Sequence, residues 1–275
     1  MENSIDVYDS YLLDDYLDSK RRLVILSGAG ISAGSGIPTY RDTEGKWLRS
    51  PPIQHNDFVR WEESRQRYWL RSYAGWPSVK HAQPTLSHDA ITLLERRGIV
   101  DLVVTQNVDR LHQKSGTTNV IDLHGRLDQV ICLDCGASHK RSWVQEILEE
   151  QNPFLSPIAR LAPDGDADIK SNQAGLLKLP FCNVCEGTLK PNVVFFGDRV
   201  AKDIIQQIYR QLDCADGLLI VGTSLRVFSG YRFCRYAAKI NLPIAAINPG
   251  RMRGEELINT FIRCEADTAL RLIRH

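Results

Sequence analysis

The 275-residue chain has no apolar run long enough to cross a bilayer, no internal repeat, no low-complexity tract and almost no net charge. A bilayer-spanning helix needs about 20 apolar residues in a row, so an integral membrane role is not expected. A formal net charge of +1 provides no broad field to draw the protein to nucleic acid or to an acidic membrane surface. The first sixteen residues are acidic and tyrosine-rich. They lack the basic start and apolar core of a secretory signal, and they are not arginine-rich and acid-poor like a mitochondrial transit peptide. A cytoplasmic protein is therefore expected, without nucleic-acid or membrane partners and without an obligate protein partner. Cysteine is sparse at seven residues, too few for a disulfide scaffold. Four of them form two CxxC pairs, which in a reducing compartment point to metal.

What is present begins at Leu23. The apolar run Leu23 to Leu26 enters a turn with four glycines in nine residues: Gly28, Gly30, Gly34 and Gly36. A buried strand followed by a glycine-rich turn is how a nucleotide-binding βα unit starts, because glycine lets backbone N–H groups approach a pyrophosphate. Gly28-x-Gly30-x-x-Ala33 fits the dinucleotide fingerprint, which alone is weak. A dehydrogenase would add a second strand ending in Asp or Glu about 20 residues on. The corresponding region, Lys46 to Pro52, has no strand pattern and contains two prolines. A dinucleotide is therefore expected to bind in another way, and hydride transfer is disfavoured.

Further apolar runs at Ile99 to Thr105, Val120 to Leu123, Val193 to Phe196, Leu218 to Val221 and Ile244 to Ile247 predict strands. They alternate with helical patterns at Pro84 to Gly98, Ile204 to Leu212 and Tyr231 to Lys239. That alternation predicts an α/β fold with a doubly wound, mostly parallel, Rossmann-like sheet. Two insertions interrupt it. Residues 47–83 read as a helical subdomain with an aromatic core, in which Phe58, Trp61, Arg65 and Tyr68 recur at helical spacing. Residues 128–190 read as a zinc-ribbon module containing a helix at Trp143 to Glu150 and a polar loop at Ala162 to Gln173. The Rossmann-like parts are then 18–46, 84–127 and 191–275, and residues 1–20 form a short packed helix or a loose arm.

Three clusters carry chemistry. Gln106, Asn107, Val108 and Asp109 follow the C-terminal end of a predicted strand, where open α/β sheets bind ligands. Amide and acid groups there can grip a carboxamide and ribose hydroxyls, or simply cap a helix. His124 also ends a predicted strand, and an imidazole is suited to take a proton from a sugar hydroxyl near neutral pH. His112 reads as a helix-face residue, and His55, His81, His88, His139 and His275 have no supporting context. Cys132, Cys135, Cys182 and Cys185 form two knuckles that make a tetrahedral thiolate site for one zinc. The 46 residues between the knuckles exceed the usual ribbon spacing. Four thiolates leave no open position, so the zinc is expected to be structural. Cys214, Cys234 and Cys264 read as small buried apolar residues.

Taken together, GAGISAGSGIPTYR, TQNVDRLHQKSG, LHG, both CxxC pairs, KPNVVFFGD, VGTSLRV and the late IN resemble the sirtuins, the NAD-dependent protein lysine deacylases. PIQHNDFVR, RQRYW, GWP, LAPDGD and SGYRF resemble the class II group in particular. The resemblance implies NAD as co-substrate and acylated-lysine proteins or peptides as substrates. Gly28, Ala29, Gly30, Ser32, Ile37, Pro38, Tyr40 and Arg41 would hold the pyrophosphate and cover the reactive ribose. Gln106, Asn107, Val108 and Asp109 would hold the nicotinamide end. Gly222, Thr223, Ser224 and Asn248 match adenosine-ribose positions, and Cys264 matches an adenine contact. Pro249 and Gly250, which follow Asn248, are counted with the cofactor-binding residues but depart from the family pattern there and would alter the ribose contacts. Val194, Phe196 and Gly197 match the strip that pairs with substrate. The implied catalytic group is His124, Asn107 and Asp109. The acyl oxygen attacks C1′ of the ribose, nicotinamide leaves, and His124 takes a proton from a ribose hydroxyl. The products are free lysine, nicotinamide and O-acyl-ADP-ribose. Mono-ADP-ribosyl transfer from the same NAD site and a non-catalytic NAD- or ADP-ribose-sensing module are the competing readings. Thr39 stands where the family usually has Asp. The Tyr and Arg that mark acidic acyl substrates are not evident after Trp47, so desuccinylation is not expected.

Overall fold

The computed structural model describes residues 7–37, 53–153, 160–161, 167–168 and 175–274. In chain order the elements are α1 (Val7–Asp18), β1 (Leu23–Ser27), α2 (His55–Arg60), α3 (Glu62–His81), α4 (Leu86–Arg96), β2 (Val100–Thr105), α5 (Leu111–Ser115), β3 (Val120–Asp122), β4 (Gly125–Cys132), β5 (Ser138–Lys140) and α6 (Arg141–Gln151). They continue with β6 (Arg160–Leu161), β7 (Ala167–Asp168), β8 (Leu189–Val193), α7 (Lys202–Cys214), β9 (Gly217–Val221), α8 (Phe228–Lys239), β10 (Ile244–Ile247), β11 (Thr260–Ile262) and α9 (Ala266–Leu270).

The main sheet has the order β11-β10-β9-β1-β2-β3, and every neighbouring pair is parallel. Strands covered on both faces must be apolar throughout, and β1, β9 and β10 are buried at every position. Their side chains alternate between two cores. Leu23 and Ile25 point to a cluster with α1, α4 and α9, whereas Val24 and Leu26 point to a cluster with α7 and α8. This is the doubly wound arrangement expected from the α/β alternation. The N-terminal segment is a packed helix from Val7 to Asp18, with Leu13, Tyr16 and Leu17 in the first core. On the other face α7 buries Ile208 and Leu212 at helical spacing, each worth roughly 1.5–3 kcal/mol relative to exposure.

The chain leaves β1 toward β2 and β3 on one side and returns to β9, β10 and β11 on the other. The order therefore reverses between β1 and β9, and a crevice opens there at the strands' C-terminal ends.

The two insertions share one core. Phe58, Tyr68, Trp69 and Tyr73 from α2 and α3 pack with Val130, Cys132, Val144, Leu148 and Cys182. Arg141, buried at the start of α6, lies over the rings of Trp69 and Trp76 at 5.5 and 5.3 Å and donates to the carbonyl of Ser72. The helix predicted through Trp61 is broken there: Trp61 is extended, 60% exposed, and separates α2 from α3.

The strand expected over Val193–Phe196 is also corrected. Strand β8 ends at Val193 and runs antiparallel to β4 in a three-stranded sheet, β5-β4-β8, outside the parallel sheet. Beyond it, Val194 N donates to the carbonyl of His124 and the carbonyl of Phe196 accepts from His55 N, each at 2.8 Å. The segment changes partners as it advances, so no single ladder continues. Strand β11, too short to stand out as an apolar run, completes the sheet. Cys234 is buried as expected, but Cys214 is exposed. No helix among the described residues is long and apolar enough to cross a membrane.

Candidate active site

The C-terminal ends of β1, β2, β9 and β10 deliver Gly28, Gln106, Gly222 and Asn248 to the crevice, and His124 arrives two residues after β3. These residues line a cleft of about 990 Å³. Its floor is made by two loops in backbone contact: Gly28 N donates to the carbonyl of Val221 at 3.0 Å, and Gly30 N donates to that of Gly222 at 2.8 Å. A Cβ on Gly28 would lie 2.6 Å from Cβ of Thr223, and one on Gly30 would lie 2.8 Å from Cα of Gly222. The glycine spacing is thus required by the approach of one loop to the other, and this approach shapes the cleft floor.

Ser32, buried in the 3-10 turn Ala29–Ser35, ties the glycine loop to the polar cluster after β2. Its hydroxyl donates to Oδ2 of Asp109 at 2.7 Å and accepts from Nδ2 of Asn107 at 3.0 Å. Asn107 Nδ2 also donates to the carbonyl of Gly28 at 3.1 Å, so its carbonyl oxygen is the group left to accept from a ligand. Oδ1 of Asp109 accepts from Leu111 N at 3.0 Å. Burial pushes the Asp109 carboxyl above the ordinary carboxylate range, against the pull of the Leu111 and Ser32 hydrogen bonds. Gln106 points elsewhere, donating to Thr223 Oγ1 at 3.0 Å and to the carbonyl of Ser27 at 3.2 Å.

The main-chain oxygen of Gln106 accepts from Nδ1 of His124 at 2.9 Å. A carbonyl can only accept, so the Nδ1 proton is fixed and Nε2 is the bare nitrogen of the neutral ring. Nε2 lies 2.7 Å from the hydroxyl of Ser229, in the first turn of α8. Gly230 lets α8 come this near, since a Cβ there would lie 2.6 Å from Oε1 of Gln106. Burial lowers the His124 pKa below its usual value, partly offset by the Gln106 hydrogen bond.

The strip after β8 is fastened beside His124. Gly125 has φ +79°, and a Cβ there would lie 2.1 Å from the carbonyl oxygen of Asn192. Val194, Phe196 and Gly197 line the cleft. Buried Lys190 donates to the carbonyl of Val193 at 2.5 Å and lies 4.5 Å from the centre of the Phe195 ring. Burial pushes its ammonium down to about 8.

Ala29, Ile37, Val108, Thr223, Ser224, Pro249 and Gly250 also line the cleft. Asn248 folds over its own turn, its Nδ2 donating to the carbonyl of Gly250 at 2.9 Å. Cys264 is not a lining residue; it packs against the first core, and Glu265 faces the cleft instead. Pro38, Thr39, Tyr40, Arg41 and the stretch Lys46 to Pro52 lie outside the described residues.

Three side chains important to the site escape the sequence reading. Ser229 carries no local signal. His112 lies on helix α5 as expected, but it is buried, with Nε2 2.8 Å from the hydroxyl of Ser27 directly behind the glycine loop. Its ring meets that of buried His88 at 4.8 Å. His88 Nδ1 accepts from Thr85 N at 3.1 Å, while Thr85 Oγ1 donates to the carbonyl of Ile31 at 3.0 Å. The visible signal was Ser27, a polar residue closing an apolar strand.

At the far end of β4 the four knuckle cysteines converge, their sulfurs all within 4.8 Å of one another. Cys132 and Cys185 are 3.5 Å apart and Cys135 and Cys182 are 3.8 Å apart. A tetrahedron with Zn–S bonds of about 2.3 Å has edges of about 3.8 Å, so this donor set fits one zinc. Backbone N–H groups of Cys135 and Val184 point at the sulfurs of Cys132 and Cys182, at 3.5 and 3.4 Å. Such bonds disperse thiolate charge around a metal.

Residues 28–229 match the Sir2 family model. The chain is 45% identical over 268 residues to an NAD-dependent protein deacetylase of Xanthomonas axonopodis pv. citri, covering 97% of this chain and 92% of the relative. It is also 45% identical over 249 residues to the human mitochondrial NAD-dependent protein lipoamidase sirtuin-4, covering 89% of this chain and 79% of the relative. A solved structure of a Sir2 enzyme superposes with a TM-score of 0.75 at 27% identity, covering 97% and 96% of the two chains. Another, of Sir2 with a deacetylated p53 peptide and 3′-O-acetyl ADP ribose, gives 0.76 at 25% identity over 95% and 94%. The chain belongs to the Sir2 family.

Proposed function

We propose that this protein is an NAD-dependent protein lysine deacylase, releasing nicotinamide, O-acyl-ADP-ribose and free lysine. The observation that carries the reading is His124. Its tautomer is set by the Gln106 carbonyl, leaving Nε2 as the acceptor in a cleft shared with the glycine loop and Asn107. The curated relatives are named for the same activity class.

NAD, when bound, supplies an activated ribose carbon that accepts the acyl oxygen as nicotinamide departs. The chain's own residues hold and deprotonate. Gly28, Ala29 and Gly30 would face the pyrophosphate, and Gly222, Thr223, Ser224 and Asn248 to Gly250 the adenosine side. Asn107 offers an acceptor oxygen to a ribose hydroxyl or carboxamide N–H, and Asp109, through Ser32, fixes the loop that carries Asn107's partners. Nε2 of His124 takes the proton from the ribose hydroxyl, with Ser229 as its resting partner. Val194, Phe196 and Gly197 would line the acyl-lysine path. Zinc on the four cysteines holds the knuckles together and takes no part in the chemistry. The helical and zinc insertions, 47–83 and 128–190, serve one catalytic unit in the cytoplasm, consistent with their shared core.

Incubation with acetyl-lysine peptide and NAD labelled in the adenosine tests the reading. Label in a small O-acyl-ADP-ribose, with one nicotinamide per lysine freed, is the expected result. Label on protein would favour mono-ADP-ribosyl transfer, and absence of nicotinamide release with every acyl peptide would leave only an NAD- or ADP-ribose-sensing module.

A further inference from the structure

The cleft is longer than the sheet edge. Past His124 it runs on between the segment Val193–Lys202 and the first turn and a half of α8 with the loop before it. The charges on this outer stretch are one-sided. Arg199, Lys202, Arg226 and Arg232 line it, against a single acid, Asp198. That acid accepts from the main-chain N–H of Arg199 through Oδ1 at 2.7 Å, and its Oδ2 lies 3.2 Å from Nδ1 of His55. None of the four cations forms an ion pair among the described residues.

Arg232 is the most telling of the four. Its side chain is half-buried over the ring of Phe228, with the guanidinium carbon 5.0 Å from the ring centre. Its Nε is buried and has no hydrogen-bond partner. The guanidinium is thus held in place by packing and not by a counter-ion, and its charge adds to the positive lining of the cleft. It stands one helical turn after Ser229, the partner of His124, so the cationic stretch begins beside the reacting centre. The exposed cations Arg199, Lys202 and Arg226 extend it outward.

Resting on the deacylase reading, we propose that this outer stretch is a channel for acidic peptide: the preferred substrates carry Asp or Glu close to the acylated lysine. The walls favour an extended chain. Val227 and Phe228 present exposed apolar side chains on one side, and the strip Val194–Gly197 lies on the other. Extended peptide gains specificity from side-chain pockets along such a groove, and here the pockets are cationic.

The test uses the full chain and three fluorescent acetyl-lysine peptides that differ only in two flanking positions, filled with Asp, Asn or Lys. Anisotropy measures binding, and nicotinamide release with saturating NAD measures KM. Because these ion pairs are partly exposed, the expected gain for Asp over Asn is roughly three- to tenfold in Kd and KM, with the Lys peptide weakest. The gain should shrink between 50 and 500 mM salt and fall by about half or more in Arg226→Gln with Arg199→Gln. Both residues are exposed, so folding is not at stake; adding Arg232→Gln should bring the gain to unity. Equal binding of the Asp and Asn peptides, or tighter binding of the Lys peptide, overturns the proposal. Loss of turnover on all three peptides would instead strike the deacylase reading, and the binding comparison would still decide the charge preference.

Discussion

Nε2 of His124 and the hydroxyl of Ser229 stand 2.7 Å apart, while Nδ1 of the same ring is held by the carbonyl of Gln106. The ring is therefore oriented at both nitrogens, and only the Ser229 side can be exchanged for substrate. Burial lowers the His124 pKa from 6.5, so the neutral, basic form persists into mildly acidic solution. Activity should be full near pH 7.5 and fall only as pH drops through a value below 6.5. Ser229→Ala removes a bond that substrate displaces, so kcat should stay within about twofold of the parent while Nε2 is freed in the resting protein. A pH–rate profile checks both; an acid limb above 6.5 would contradict the assignment.

Gly30 and Gly36 give a paired prediction. Alanine at 30 drives a methyl to 2.8 Å from the main chain of Gly222, and main chain cannot swing aside. Overpacking of this kind costs roughly 1–3 kcal/mol, and separating the two loops should cut NAD-dependent turnover by at least ~10-fold. Alanine at 36 meets no atom within 4 Å and pays only for φ +78°, roughly 1–2 kcal/mol. Melting should fall in both variants, whereas turnover should fall steeply only in Gly30→Ala.

The same pair shows what the sequence can and cannot tell. The glycine spacing is legible as a tight turn closing a buried strand, and the structure has that turn at Ala29–Ser35. The reason for Gly30 was not visible, since its neighbour Gly222 is almost 200 positions away and joins it only when β9 pairs with β1. Long apolar runs such as Leu23 to Leu26 and Ile244 to Ile247 betray strands buried on both faces. Three-residue β11 does not, and the segment after Val193 looked like a core strand because Val193, Val194, Phe195 and Phe196 are as apolar as one. Two knuckles reveal a metal site by local chemistry, even at unusual spacing. Ser229, by contrast, is an ordinary hydroxyl until α8 docks on Gln106.

His88 and His112 should make stability pH-dependent. Burial lowers the His88 pKa to about 3 and holds His112 well below 6.5, with His88 adding to the effect. The geometry agrees, because His88 Nδ1 accepts from Thr85 N and cannot do so when protonated. Both folded-state values are depressed, so the unfolded chain takes up protons first. Their contribution is intact above about pH 6.5 and declines as pH falls, by roughly 1.4 kcal/mol per pH unit for each ring. Urea unfolding at pH 7.5, 6 and 5 measures the slope. His88→Gln with His112→Gln should flatten it, and an unchanged slope would contradict the buried-neutral assignment.

Removing one knuckle sulfur should separate structure from chemistry. Metal analysis should find about one zinc per chain, lost in Cys182→Ser. Cys182 and Cys132 belong to the core shared by the two insertions, so the melting temperature should fall with the metal. Per folded molecule, the pH dependence of turnover should stay that of the parent protein. Full stability and activity in a zinc-free protein would argue against a structural role.

The most direct measurement of the central claim is formation of free lysine peptide and O-acyl-ADP-ribose by His124→Ala with an acetyl-lysine peptide and NAD, alongside zinc content and melting temperature. A general base contributes about 10²–10⁴-fold, so the variant should lose at least two orders of magnitude in deacylation while keeping its zinc and its fold. Deacylation at the parental rate in a folded, zinc-loaded His124→Ala protein would show that His124 is not the base.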